Sequence, residues 1–292
     1  MGIKWMAIIG VFIIACLGIA AIYGGYRWQL DTDNLRAKLT NGRQIIKPKI
    51  YDQKEIEGLP EPVQRFFQTV LKNGQAIAER DLGIASAVKI SQQGQFNMSE
   101  TEAKWRNFTA TQLVITQRPG FDWDARIQMA PGMNAFVHDT YLLGEGNLQA
   151  SLLGLFTVAK MHGTPESNQG ELLRFFAETA WYPTALLPSQ GVRWEAIDDT
   201  SARGILTDGT TTVSLVFQFN DEGAISTIRA EGRYRMDGDK WTAMPWVGRF
   251  GEYSLRNGML IPLQAEVGWE HPEGTRLYFK GKITEINYEF AA

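Results

Sequence analysis

Glu171, Arg174 and Glu178 lie at i, i+3 and i+7 in GELLRFFAETAWYPTALLPS, residues 170–189, a spacing that sets acid, base and acid on one side of a helix. Leu172, Leu173, Phe175, Phe176 and Ala177 cover much of the remainder. Two chemistries fit the charged stripe. As a solvated set of ion contacts it contributes roughly a few tenths of a kcal/mol per pair. At the mouth of an apolar pocket, Arg174 would instead hold an anionic head group through its planar fork. Pro183 cannot extend the helix and keeps Tyr182 away from helical angles, so the chain must leave at Trp181-Tyr182. Thr184-Ala185-Leu186-Leu187 then reads as an apolar cover ending at Pro188. A packing corner and a binding site account for the segment equally well.

Asp122 and Asp124 are the next pair with a chemistry of their own. In FDWDARIQM, residues 121–129, they share the polar face of one strand, about 7 Å apart at two residues' rise. Paired carboxylates at such separations perform acid-base chemistry, but the plainer reading is the wet face of a half-buried strand. His138 and Asp139 are adjacent, which on a strand sends them to opposite faces and argues against a shared metal. His162 and His271 have no ligand-spaced partner, and no HExxH, CxxC or GxSxG occurs, so neither a metal nor a cofactor is expected.

The elements that must position these residues are mostly strands. Phe121, Trp123, Ala125, Ile127 and Met129 alternate with polar neighbours, and short turns such as RPG and PGMN join this run to those before and after it. About ten such runs follow one another, antiparallel by their short connections. Val63, Phe66, Phe67, Val70 and Leu71 recur at helical spacing behind Pro60 and Pro62, with Asn73-Gly74 closing the helix. The expected fold is mainly β with minor α: a large curved antiparallel sheet or half-barrel, because a wide twisted sheet curls. Helices near 60–73 and 169–181 pack on its concave side, and residues 59–292 form this single domain.

Residues 5–26, WMAIIGVFIIACLGIAAIYGGY, carry no charge and match the roughly 20 apolar residues that a membrane span needs. Residues 1–27 are therefore expected to be an uncleaved N-terminal transmembrane anchor, with residues 28–58 a juxtamembrane spacer. Ile13-Ile14-Ala15-Cys16 resembles a lipoprotein processing site and Gly18-Ile19-Ala20 suits ordinary cleavage, so two cleavable readings compete. Arg27, Arg36, Lys38, Arg43, Lys47 and Lys49 after the run favour a cytoplasmic domain by the positive-inside rule. The short Lys4-bearing start is the shape of an export signal, and an extracytoplasmic domain is the expectation. Lys and Arg number 29 against 32 Asp and Glu, a balance that excludes the basic surface nucleic acid requires.

Leu59-Pro60 with Val63 and Arg65, Trp105 and Phe108 before GFDWDAR, Tyr141 with Gly144 and Gly146, GEL with WYPTALL, Pro245-Trp246 and Ile261-Pro262 together resemble a bacterial family of uncharacterised proteins, a domain of unknown function, over about residues 59–288. The WYPTALL block is the most specific part. The resemblance implies fold and membrane context and carries no activity. The curved-sheet architecture is also similar in shape to bacterial lipoprotein carriers. These readings converge on a membrane-anchored, non-catalytic domain holding a lipid-like or apolar ligand, with Glu171, Arg174, Glu178, Trp181, Tyr182, Trp123 and Tyr141 as its contacts. A hydrolase drawing on Asp122, Asp124, Glu171 or Glu178, and an envelope scaffold without a small ligand, are the alternatives. Protein partners are not indicated.

Overall fold

A computed structural model describes residues 2–44, 51–71, 85–99, 101–238 and 240–290. Thirteen strands form one antiparallel sheet in the order β6-β5-β4-β3-β2-β1-β13-β12-β11-β10-β9-β8-β7. Two meanders build it. The first comprises β1 (Ala85–Asn97), β2 (Trp105–Ile115), β3 (Gly120–Ala130), β4 (Met133–Leu142), β5 (Glu145–Leu152) and β6 (Phe156–His162). The second comprises β7 (Arg193–Ala196), β8 (Ser201–Asp208), β9 (Thr211–Phe219), β10 (Ile225–Asp237), β11 (Lys240–Arg256), β12 (Met259–His271) and β13 (Gly274–Phe290). Pairing of β1 with β13 along most of their length joins the halves. The three strands beyond the expected ten include short ones such as β7, whose exposed Arg193, Glu195 and Ala196 leave little alternation to read.

The helices are α1 (Gly2–Asn41), α2 (Glu61–Val70) and α3 (Pro165–Glu178). Thr164 caps α3, its side chain and that of Ser167 exchanging the two bonds of a capping box, with Pro165 in the first turn. Nine strand spacings separate β5 from β9 in the sheet, or about 43 Å at about 4.8 Å each if the sheet were flat. Yet α3, about 21 Å long for its 14 residues, packs on β4, β5, β9 and β10 together. The sheet therefore curls around α3 as a half-barrel. On the same concave side, α2 buries Val63, Phe66, Phe67 and Val70, with Phe66 5.5 Å from Phe219. The expected close of α2 at Asn73-Gly74 lies outside the described residues.

The convex face is also covered, which the sequence did not indicate. Where anchor and spacer were divided at residue 27, α1 runs on unbroken to Asn41 and lays its second half across β2, β3 and β4. Leu39 joins Ala87, Leu113 and Ile115 in a small apolar cluster there. Gly24 and Gly154 let α1 touch the β5–β6 turn backbone to backbone; a Cβ on either would collide with main-chain oxygen of the other segment. Among the described residues no helix is long and apolar enough to cross a membrane. Within the expected span, the side chains of Met6, Ala7, Ile13, Ile14 and Leu17 are outside what the structure describes.

Candidate functional site

A cavity of about 530 Å³ opens between α3 and the concave face. Its walls are mainly aromatic and aliphatic, with Trp123, Trp181, Trp246, Trp269, Phe250 and Phe279 prominent. Alternation supplies them: Trp246 faces Trp269 across β11 and β12, and Phe96 faces Phe279 across β1 and β13.

One polar cluster interrupts this surface. Arg174 Nε donates to Glu178 Oε1 at 2.8 Å, and its Nη1 donates to Asp139 Oδ2. The guanidinium also lies 4.9 Å from the Phe121 ring centroid and 5.0 Å from that of Trp123. Burial alone would disfavour its charge, but Glu178, Asp139 and Glu171 outweigh that and raise its pKa. Glu178 is held in turn by Gln112, Gln112 lies next to Gln92, and Gln92 Oε1 accepts from Trp123 Nε1 at 2.8 Å. Glu171 differs. Burial, and then the Asp139 carboxylate, push its carboxyl up to about 8, against the weaker pull of Arg233 and Arg174. Glu171 Oε2 and Asp139 Oδ1 meet as two buried acceptors with no donor between them, a pairing that a proton on Glu171 completes. Burial and Asp139 thus favour the protonated form of Glu171.

Of the residues expected to contact a ligand, Glu171, Arg174, Glu178, Trp181 and Trp123 line the cavity. Tyr141 and Tyr182 do not reach it: both are fully buried, the Tyr141 hydroxyl donating to Asp208 at 2.9 Å and that of Tyr182 to the Phe175 carbonyl at 2.9 Å. The charged stripe of α3 is not solvated, because it faces the curled sheet. Nor is Arg174 a free anion receptor, since two carboxylates already occupy its fork. Thr184, Ala185, Leu186 and Leu187 are buried, and Trp194 Nε1 donates to the Leu186 carbonyl at 3.1 Å, so WYPTALL is a packing corner with Trp181 as its contribution to the cavity.

Asp122 and Asp124 depart furthest from expectation. Neither is on a wet face: they are 1% and 7% exposed, because α1 lies over them. Trp28 Nε1 donates to Asp124 Oδ1 at 2.8 Å, Arg36 Nε to Asp122 Oδ2 at 2.8 Å, and Arg126 also pairs with Asp124. His138 Nδ1 meets Asp122 Oδ1 at 2.8 Å while Nε2 meets Thr32 Oγ1 at 3.1 Å, and the Trp28 ring stacks on the imidazole at 4.5 Å. The Thr32-His138-Asp122 row has the connectivity of a nucleophile, base and orienting acid. It is closed under the helix, away from the cavity, and serves as a latch. The four carboxylates considered for hydrolysis thus divide between two faces of the sheet. Among the described residues no group of acidic, His or Cys side chains is gathered in a way that could hold a metal.

Asp139, Arg233 and Tyr278 are among the cavity residues that escaped the sequence reading. Asp139 was legible only as the inward partner of outward His138. Arg233 was hidden by a bulge in β10, where the register against β11 slips by one residue between Ala230 and Arg233, opposite Pro245. Strict alternation from Ile228 and Ala230 would have placed it outside.

Residues 57–288 match the model of a family of unknown function (DUF6920). A solved structure similar to this chain is a LolA-superfamily protein from Nitrosomonas europaea, at 8% identity and a TM-score of 0.34, covering 78% of this chain and 92% of that one. No curated protein matches.

Proposed function

We propose that this chain, which belongs to the family of unknown function DUF6920, is a membrane-anchored, non-catalytic domain that holds an apolar or lipid-like ligand inside the half-barrel. The cavity carries this reading. Its volume, about 530 Å³, falls in the usual range of small-ligand sites, and its wall is apolar with a few convergent polar groups. Burial of hydrocarbon there contributes about 25 cal/mol per Å² without any covalent chemistry. Asp122 and Asp124 lie on the other face of the sheet from Glu171 and Glu178, so the four carboxylates do not share one site. Anchoring is supported by the first half of α1, where Trp5, Ile8, Val11, Phe12, Ile19 and Ile22 are each more than half exposed with no protein surface over them. The domain is assigned to the extracytoplasmic side, which protease accessibility in intact spheroplasts tests; a domain degraded only after lysis would reverse it.

The cavity reading is tested with the full chain in amphipol and N-phenyl-1-naphthylamine, a neutral fluorophore that brightens in apolar sites. The wild type is expected to bind the probe. Ala150→Trp, which adds an indole to the cavity wall, is expected to abolish binding while keeping the β-rich far-UV spectrum. A wild type that ignores the probe, or a folded variant that binds it equally well, would refute the proposal.

A further inference from the structure

Arg233 is about nine-tenths buried, and its nearest carboxylate, Glu171, stands at the edge of ion-pair range and is shared with the Asp139–Arg174 cluster. Nη1 donates to the Tyr278 hydroxyl at 3.1 Å, Nη2 lies 3.4 Å from Glu171 Oε1, and Nε has no partner among the described residues. The Tyr278 contact is made through a hydroxyl, and burial and the Asp139 carboxylate push the Glu171 carboxyl towards its protonated form. Arg174, three helical positions on from Glu171, pairs with the carboxylates of Glu178 and Asp139 instead. Burying a cation with a hydrogen-bond donor left unpartnered is expensive, and several features hold Arg233 in place nonetheless. The bulge turns it inward, Gln169 Nε2 on α3 grips the bulge at the Gly232 carbonyl at 3.1 Å, and the guanidinium stands 5.2 Å from the Trp246 ring centroid and 6.0 Å from that of Trp269. Tyr278 is similarly poised. Its oxygen accepts from Arg233 and from Trp246 Nε1, the latter at 2.9 Å, which fills both lone pairs and leaves its own hydrogen without an acceptor among the described residues. Arg233 and Tyr278, each with one donor unpartnered among the described residues, thus both line the apolar cavity, with Arg235 and Arg276 on the same lining.

We propose that Arg233 and Tyr278 form the head-group subsite of the cavity, which takes an amphiphile bearing a carboxylate or phosphate at one end of a hydrocarbon chain. The proposal rests on the reading of the cavity as an apolar-ligand site and specifies the class of ligand. A neutral ester or alcohol would satisfy a donor, but an oxyanion makes the stronger, charge-assisted bonds to a buried guanidinium.

Displacement of N-phenyl-1-naphthylamine from the full chain in amphipol by dodecanoate, dodecyl phosphate and dodecanol separates the possibilities. In the wild type at least one anion is expected to displace the probe at about tenfold lower concentration than dodecanol, the scale of one charge-assisted hydrogen bond. The better anion identifies the head. Arg233→Gln is expected to erase this preference while still binding the probe, and Arg233→Lys, which keeps the charge without Nε, to retain part of it. Should Arg233→Gln not fold, Tyr278→Phe carries the test, with a several-fold smaller preference expected. Equal displacement by dodecanol and both anions in the wild type overturns the subsite and leaves the cavity reading standing, as does an unchanged preference in the folded variants. Failure of the wild type to take up the probe overturns both.

Discussion

Arg174 and Glu171 are neighbours on one helix, and their burial has opposite consequences. Arg174→Gln leaves Asp139 and Glu178 buried without their cation, and the expected loss is about 3–5 kcal/mol, where a solvated arginine would cost under about 1. Glu171→Gln keeps the shape and neutrality of the protonated acid. The carboxyl of Glu171 is raised in the folded protein from 4.5 to about 8, so between those values the folded state holds a proton that the unfolded state has released. Wild-type stability should then fall as pH rises across that window, by roughly 1 kcal/mol per pH unit for this group. Glu171→Gln should lack this component and gain on the wild type from pH 5 to 8. Urea titrations at several pH values measure both effects; parallel curves for wild type and Glu171→Gln would show that the proton is not held. The charges themselves were legible as a stripe at i, i+3 and i+7. Their environment was not, because helical spacing states which residues share a face and not what that face meets.

The same distinction governs the elements. Helix α2 was legible from apolar residues at a period of 3.6 behind Pro60 and Pro62, α3 from its charged stripe and apolar neighbours, although it runs from Pro165 to Glu178 and not over 169–181, and β3 from strict alternation. The docked half of α1 was not, since it binds the sheet through Trp28, Thr32 and Arg36 against Asp122, Asp124 and His138, and a polar interface leaves no apolar period to find. Alternation assigned Asp122 and Asp124 to the correct face of β3, but that face is polar because a helix brings it donors, not because water does. Arg233 shows a further limit, as one bulged residue exchanges inside for outside downstream of it. Trp28→Ala removes both the stack on His138 and a bond to Asp124, and should cost about 3–5 kcal/mol, felt first as undocking. Hydrogen exchange is expected to accelerate across residues 28–41 while α3 keeps its protection. Unchanged exchange there would mean that the latch does not hold the helix.

At the scale of the molecule, the sheet is sandwiched between α1 outside and α2 with α3 inside, so each face depends on a helix from a different part of the chain. A chain beginning at residue 27 keeps the outer layer and should melt close to the full-length protein. One beginning at residue 45 uncovers Leu113 and Ile115 and strips Asp122 and Asp124 of Arg36, Trp28 and Thr32. It should melt several degrees lower, or precipitate, in a thermal scan; equal melting temperatures would show that the outer layer is dispensable. The continuity of α1 also has a mechanical meaning. Trp28, Thr32 and Arg36 fix the azimuth of the helix as well as its axis, so the 22 residues from Trp5 to Tyr26 form a spindle keyed to the sheet. Removing one residue between Tyr23 and Trp28 would turn everything upstream by about 100° and draw it in by about 1.5 Å. Whatever grips the spindle thereby sets the heading of the domain, in the way a keyed shaft, and no leash, sets the heading of a vane.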